Sequence, residues 1–252
     1  MASIRAVFLD LGWTLAYPRT SMWQIFADLC SDAGVVVTPA ACEQLVRGLS
    51  RAAHEQAERQ FRGGAQYEDS DAAFAGMFMQ MGRMVFAQMG VTAGHEALMQ
   101  RFLERFWNAS NWTRFPEVLD VLRALRARGI RLGVLSNAPS NLPSFLEQLG
   151  IAPLLDFSVV SAVEGVRKPD RRIFEVALAR AEVKPAEALH VGDMYLEDVL
   201  GGRALGIHTL LMERGSHSLF PSFRESEGHG LASDAVIEDL HQVLPYVDGK
   251  PA

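Results

Sequence analysis

The chain has 252 residues, 49% hydrophobic and 21% charged, with a formal net charge of −6. That length suffices for one large domain or for a core with a smaller one attached, and the acidic balance argues against nucleic acid as a bulk partner. No apolar run reaches the ~20 residues that span a bilayer, and no charged-then-apolar leader opens the chain. The two cysteines, Cys30 and Cys42, cannot build a disulfide framework, so a cytoplasmic protein without membrane association is expected.

In chain order, "IRAVFL" (4–9) reads as a buried strand. From about Ser21 to Ser110 the apolar residues recur at three- and four-residue spacing in four segments, broken at Gly34, Gly90 and Gly94 and by "VTP" before Ala40. These predict a four-helix bundle. After "FPEV" the pattern alternates: helix "VLDVLRALRARG", strand "IRLGVLS", helix "NLPSFLEQLG", strand "FSVVSA", helix "DRRIFEVALARA", strand "EALHVGD", helix "YLEDVLGGRALG", strand "IHTLLM". Near-continuous apolar strands alternating with helices predict a parallel sheet covered on both faces. Residues 213–233 have no period and read as a surface loop, and "DAVIEDLHQVLPYV" adds a short strand and a helix. The expected fold is therefore α/β, a doubly wound parallel sheet (residues 1–16 and 113–252) with an inserted four-helix cap (17–112).

In such sheets ligands sit beyond the carboxyl ends of the strands. Asp10 ends the first strand, Ser136 and Asn137 end "GVLS", Lys168 follows "FSVVSA", and Gly192-Asp193 ends "ALHV", with Asp198 five residues on. Carboxylates, a hydroxyl and an ammonium on one sheet edge suit a phosphoryl group and a hard divalent cation such as Mg2+. A carboxylate can also attack phosphorus itself. Lysine is scarce: 21 arginines stand against three lysines, Lys168, Lys184 and Lys250. A lysine just before "PD" is therefore a candidate for a task.

The order D-x-x-x-T-L, S-N, K-P-D and G-D-x-x-x-x-D resembles the haloacid dehalogenase superfamily, in particular the branch with a helical cap after the first strand. The likeness runs along essentially the whole chain. It implies Asp10 as nucleophile and metal ligand, with the Gly12 carbonyl and Asp193 completing a Mg2+ site. It also implies Thr14 supporting the loop at the substrate site, Ser136, Asn137 and Lys168 around the phosphoryl group, and Asp198 orienting water or Lys168. The implied partner is a small phosphorylated metabolite.

One position departs from that pattern. Phosphatases of the superfamily carry a second aspartate two residues after the nucleophile, which protonates the leaving oxygen and then activates water; here the residue is Gly12, followed by Trp13. Dehalogenases of the superfamily place a tyrosine there and lack the metal-binding aspartate, whereas this chain keeps "GD". Phosphonate-cleaving members use a cap lysine, and residues 17–115 contain none. The "DKTGT" of the ion-pumping members is absent too. Three readings stay open: a phosphatase acting on good leaving groups, an acid supplied from the cap by His54, Glu55 or Glu58, and a phosphate-binding protein with little turnover. In the cap, the methionines of "MFMQMGRMVFAQM" and the indoles of Trp107 and Trp112 are expected to be packing residues. Tyr17, Arg19, Trp23 and Arg62 are expected to be structural or solvated.

Overall fold

The computed structural model describes residues 3–215 and 234–249, with the side chains of 49–55, 57 and 58 left aside. The predicted loop therefore lies mostly outside the described residues, and so do the side chains of His54, Glu55 and Glu58. Strand β1 (Ala6–Leu9) leads through a tight turn into β2 (Ala16–Pro18). Four helices follow: α1 (Met22–Asp32), α2 (Pro39–Arg62), α3 (Asp71–Gln88) and α4 (His95–Phe106). Three of them start where the sequence supplies a cap. The hydroxyls of Ser21, Thr38 and Ser70 accept from the backbone N–H of Gln24, Ala41 and Ala73, satisfying donors a helix start leaves open.

The chain returns through β3 (Trp112–Arg114), which pairs antiparallel with β2 and sets Pro18 opposite Trp112. That two-stranded ribbon was not legible in the sequence, because three-residue strands carry too little periodicity. The alternating part then runs α5 (Val118–Ala127), β4 (Arg131–Ser136), α6 (Leu142–Gln148), β5 (Phe157–Val160), α7 (Ser161–Glu164), α8 (Arg171–Ala181), β6 (Ala188–Gly192), α9 (Gly201–Arg203), β7 (His208–Met212), β8 (Ala235–Ile237) and α10 (Val243–Val247). The six long-range strands form one parallel sheet in the order β5-β4-β1-β6-β7-β8. Two differences from the sequence reading stand out. Ser161 and Ala162 belong to α7, not to the preceding strand. The segment Tyr195–Leu200 winds as a π-helical turn before α9, where one helix was expected.

Every residue of β1 is fully buried, and alternation sends Ala6 and Phe8 to one face and Val7 and Leu9 to the other. The first face packs on α8 through Ile173, Phe174 and Ala177; the second joins a larger core with Val121, Leu122 and Leu125 of α5. The helical insert has its own aromatic centre, with the Phe26 and Phe102 rings stacked at 4.5 Å and Phe86 edge-on to Phe26 at 5.4 Å.

The insert is moored to the sheet edge at the start of α3. The Asp71 carboxylate accepts from the backbone N–H and hydroxyl of Ser140, at 2.7 and 2.6 Å, in the loop after β4. Just before it, the Tyr67 N–H donates to Asp170 (3.1 Å) and the Arg167 N–H to the Tyr67 carbonyl (3.0 Å). These bonds fix the direction of α3. Phe74, Met77 and Phe78, spaced three and four residues apart along it, share one face and reach the ends of the strands.

Candidate active site

The loops beyond β1, β4, β5 and β6 line one cavity of about 160 Å3, and Asp10, Gly12, Ser136, Asn137, Lys168, Asp193 and Asp198 all contribute to it. Lys168 lies at its centre. Only 2% exposed, its ammonium donates to Asp10 Oδ1 at 2.8 Å, to Asp198 Oδ1 at 2.5 Å and to the Leu135 carbonyl at 3.0 Å. All three of its protons are used. Burial opposes the charge, but the two carboxylates outweigh it and hold the Lys168 pKa above its ordinary value.

Neighbouring groups aim this lysine. The Asn137 side-chain amide bridges the Lys168 backbone, donating to its carbonyl (3.0 Å) and accepting from its N–H (2.8 Å). Asn137 thus positions the lysine-bearing loop. Asp198 accepts from the Met194 N–H (2.9 Å) and lies 2.8 Å from His190 Nε2. Burial works against its ionisation, yet Lys168 and His190 hold its carboxyl well below the usual carboxylate range. His190, fully buried on β6, is a site residue that sequence reading missed. Its one available signal was a polar residue inside the apolar strand "ALHVG". Gly192 is required by close approach: a Cβ there would collide with the Asp198 carboxylate.

Asp10, 8% exposed, has one oxygen occupied. Oδ1 accepts from Lys168 and from the Ser136 hydroxyl at 3.0 Å, while Oδ2 has no donor among the described residues. Burial pushes the Asp10 pKa up, against the pull of Lys168. Asp193 is raised more strongly, by burial and then by the charges of Asp10 and Asp198. Three carboxylates thus lie around one ammonium, which bonds to two of them. That deficit, together with the free Asp10 oxygen, fits a hard cation. Among the described residues no three His, Cys, Asp or Glu side chains form a metal-holding group, so such a cation would draw its remaining ligands from carbonyl and water oxygens.

Thr14 is placed differently from the other candidates. It is fully buried, does not line the cavity, and its hydroxyl has no hydrogen-bond partner among the described residues. Its contribution is the backbone: its carbonyl accepts from Arg214 at 2.7 Å, and Arg214 lies over the Phe115 ring and pairs with Glu117 at 2.5 Å. Tyr17, Arg19, Trp23 and Arg62 do not line the cavity. Trp107 and Trp112, expected as packing residues, do line it, together with Trp13, Phe74, Met77 and Phe78. Trp13 takes φ 52°, a left-handed conformation uncommon for a bulky residue, with its ring between Phe106 and Trp112.

Known proteins show the same plan. The sequence profile of the haloacid dehalogenase-like hydrolases matches residues 4–206. The human haloacid dehalogenase-like hydrolase domain-containing protein 3 is 30% identical over 247 residues, 97% of this chain and 94% of its own. The chain belongs to the haloacid dehalogenase-like hydrolase family. A phosphoserine phosphatase of Thermus thermophilus is 33% identical over 147 residues, covering 57% of this chain and 58% of its own. The crystal structure of a phosphatase of the family from Thermococcus onnurineus superposes with a TM-score of 0.58 at 20% identity, over 98% of this chain and 99% of its own. The protein is thus a hydrolase on this fold; the chemistry specific to it has to come from its own site.

The buried charge cluster makes a stability prediction. Lys168→Met leaves Asp10 and Asp198 without their cation, and breaking a buried pair from one side costs about 3–5 kcal/mol. Lys184, exposed on the far side of the strand ends, is the control, and Lys184→Ala should stay within about 0.5 kcal/mol of the parent. The Lys168→Met loss should shrink as pH falls and the stranded carboxylates take up protons. Urea unfolding of both variants at neutral and acidic pH measures this; equal stability of the two at neutral pH would refute it.

Proposed function

We propose that the protein is a Mg2+-dependent phosphatase that transfers a phosphoryl group through Asp10. The observation that carries this reading is the Lys168 ammonium on Asp10 Oδ1, which neutralises and orients the carboxylate while Oδ2 stays available. In the first step one oxygen of the Asp10 carboxylate attacks phosphorus, the other being left for the metal, and the bond to the leaving oxygen breaks, its electron pair departing with that oxygen. In the second, water attacks the aspartyl-phosphate, releasing inorganic phosphate and restoring the carboxylate. On substrate entry Ser136 and Lys168 would turn the protons they donate to Asp10 Oδ1 toward phosphoryl oxygens, and Asp198 with His190 keeps Lys168 in place. Asp10, Asp193 and the Gly12 carbonyl would hold Mg2+, which offsets repulsion between the carboxylates and a dianionic substrate. The helices of residues 17–112 would act as a cap over a core formed by 1–16 and 113–252. The substrate is a small phosphorylated metabolite.

The metal part is tested on binding alone. Asp193→Asn replaces a charged ligand by a neutral one and should weaken Mg2+ binding at least tenfold in calorimetry, with the unfolding midpoint in urea nearly unchanged. Unchanged Mg2+ affinity would remove Asp193 from the metal site.

Gly12 governs the rates. No side chain at this position can protonate a leaving oxygen or take a proton from attacking water, assistance usually worth about 10²–10⁴-fold. Good leaving groups should therefore react quickly with Asp10, and the aspartyl-phosphate should accumulate. The structure leaves room to restore the acid. Gly12 is outside the left-handed region, and a Cβ on it would stand 3.8 Å from the Trp112 ring and 4.0 Å from Asp10 Oδ2, ordinary contact distances. Gly12→Asp should abolish the burst of leaving group and raise turnover more on alkyl than on aryl phosphates. Rapid-mixing kinetics and intact-mass detection of the phosphoryl adduct check this. Fast alkyl turnover by the parent protein with no adduct on Asp10 would mean that another residue supplies the proton. Mg2+ and phosphate binding without turnover would favour the phosphate-binding reading.

A further inference from the structure

The cavity has two chemically unlike linings. The strand ends supply its charged and polar groups, whereas every lining residue from the helical insert is apolar: Phe74, Met77, Phe78, Trp107 and Trp112. Trp13 adds a further ring from the loop after β1. The rings form a connected box, with Phe74 edge-on to Trp107 at 5.2 Å, Trp107 stacked on Trp112 at 5.4 Å and Trp13 edge-on to Trp112 at 5.8 Å. The two indole N–H groups differ. Trp112 donates to the Phe106 carbonyl at 2.8 Å, while the Trp107 nitrogen is buried with no acceptor among the described residues.

We infer that the substrate carries its phosphate on a single aromatic ring, as an aryl phosphate; this rests on the phosphatase reading above. Two independent features of the chain converge on it. Polyol or amino-acid leaving groups would bring hydroxyl, ammonium or carboxylate groups against a wall of rings, with only Arg167, on the Met77 sulfur, and Glu197 as charged neighbours beyond the phosphoryl end. A flat ring meets this lining through edge-on and stacked contacts. Separately, Gly12 leaves the departing oxygen without a protein acid. An aryl oxygen leaves as a phenolate, whose conjugate acid has a pKa near 10, and then takes its proton from water. The atoms balance as aryl phosphate plus water giving phenol and inorganic phosphate.

Binding of inert analogues tests the ring separately from the chemistry. Benzylphosphonate and ethylphosphonate share a phosphonate head and differ in the ring; their affinities are measured by calorimetry in saturating Mg2+. Benzylphosphonate should bind at least tenfold tighter. Phe78→Ser should cut that ratio below threefold without changing ethylphosphonate affinity, and Trp13→Ser, on the loop after β1, provides a second variant should the first unfold. Equal affinities in the parent protein would overturn the aryl assignment while leaving the phosphoryl site intact. If neither phosphonate binds, the phosphatase reading fails, and the aryl assignment with it. A ratio unchanged in a folded variant would place the ring elsewhere and refute the proposed box.

Discussion

The site depends on one buried ammonium. Lys168 stands between Asp10 and Asp198 and donates to both, and among the described residues no arginine or other lysine bonds to either of them, His190 lying against Asp198. A lysine and two carboxylates this deeply buried are costly to desolvate, so the arrangement persists only where geometry is good and the remaining lone pairs are used. That explains the supporting bonds. Asn137 fastens the Lys168 backbone from both sides, the Leu135 carbonyl takes the third ammonium proton, and the Met194 N–H occupies the second oxygen of Asp198. The sheet order explains how these residues meet. Strand β1 lies between β4 and β6, so Asp10 ends flanked by Ser136 on one side and by the Asp193–Asp198 loop on the other.

The same ammonium leaves the cluster short of positive charge. Asp193 is pushed up by burial and by two neighbouring carboxylates, and Lys168 is already committed to those two. A divalent cation and a phosphoryl dianion entering together would relieve both imbalances: the cation compensates the carboxylates, and the phosphoryl group is met by the cation and by Lys168. On that view the strand-end groups form a complete electrostatic unit only with both bound.

The sheet and the polar floor of the cavity were legible because each leaves a local trace. Near-continuous apolar runs mark buried parallel strands, and reactive residues just past such runs must lie on one edge. The apolar roof was not legible. Phe74, Trp107 and Trp112 line one cavity with Gly12 only because Asp71 is moored to Ser140 and β3 pairs with β2. Nothing within a short window of sequence reports those long-range contacts, and an aromatic at helical spacing reads equally well as core. Thr14 shows what a motif leaves unspecified. Its place in the D-x-x-x-T-L pattern implies support of the loop at the substrate site but not by which atoms; the turn that follows Asp10 buries the hydroxyl and presents the carbonyl to Arg214. His190 and the Tyr195–Leu200 turn were hidden for a related reason, since both are shaped by the burial of Asp198 against Gly192.

Gly12 and Trp13 invert what backbone chemistry would suggest. In the turn after Asp10 the left-handed conformation falls on Trp13, at φ 52°, and the adjacent glycine does not need its freedom. A glycine there is usually explained by positive φ or by a close approach, and neither applies, because a Cβ on Gly12 meets only ordinary contacts. The backbone therefore gives no reason for glycine at position 12. What glycine does provide is clear space beside Asp10 Oδ2, bounded by the Trp112 ring, while Trp13 is held in an unfavourable conformation that puts its own ring against Trp112. A position without a side-chain acid and a ring of the aromatic wall are adjacent residues of one turn. Under the proposed reaction both features favour the same kind of leaving group: one that departs without a proton and presents a flat apolar face.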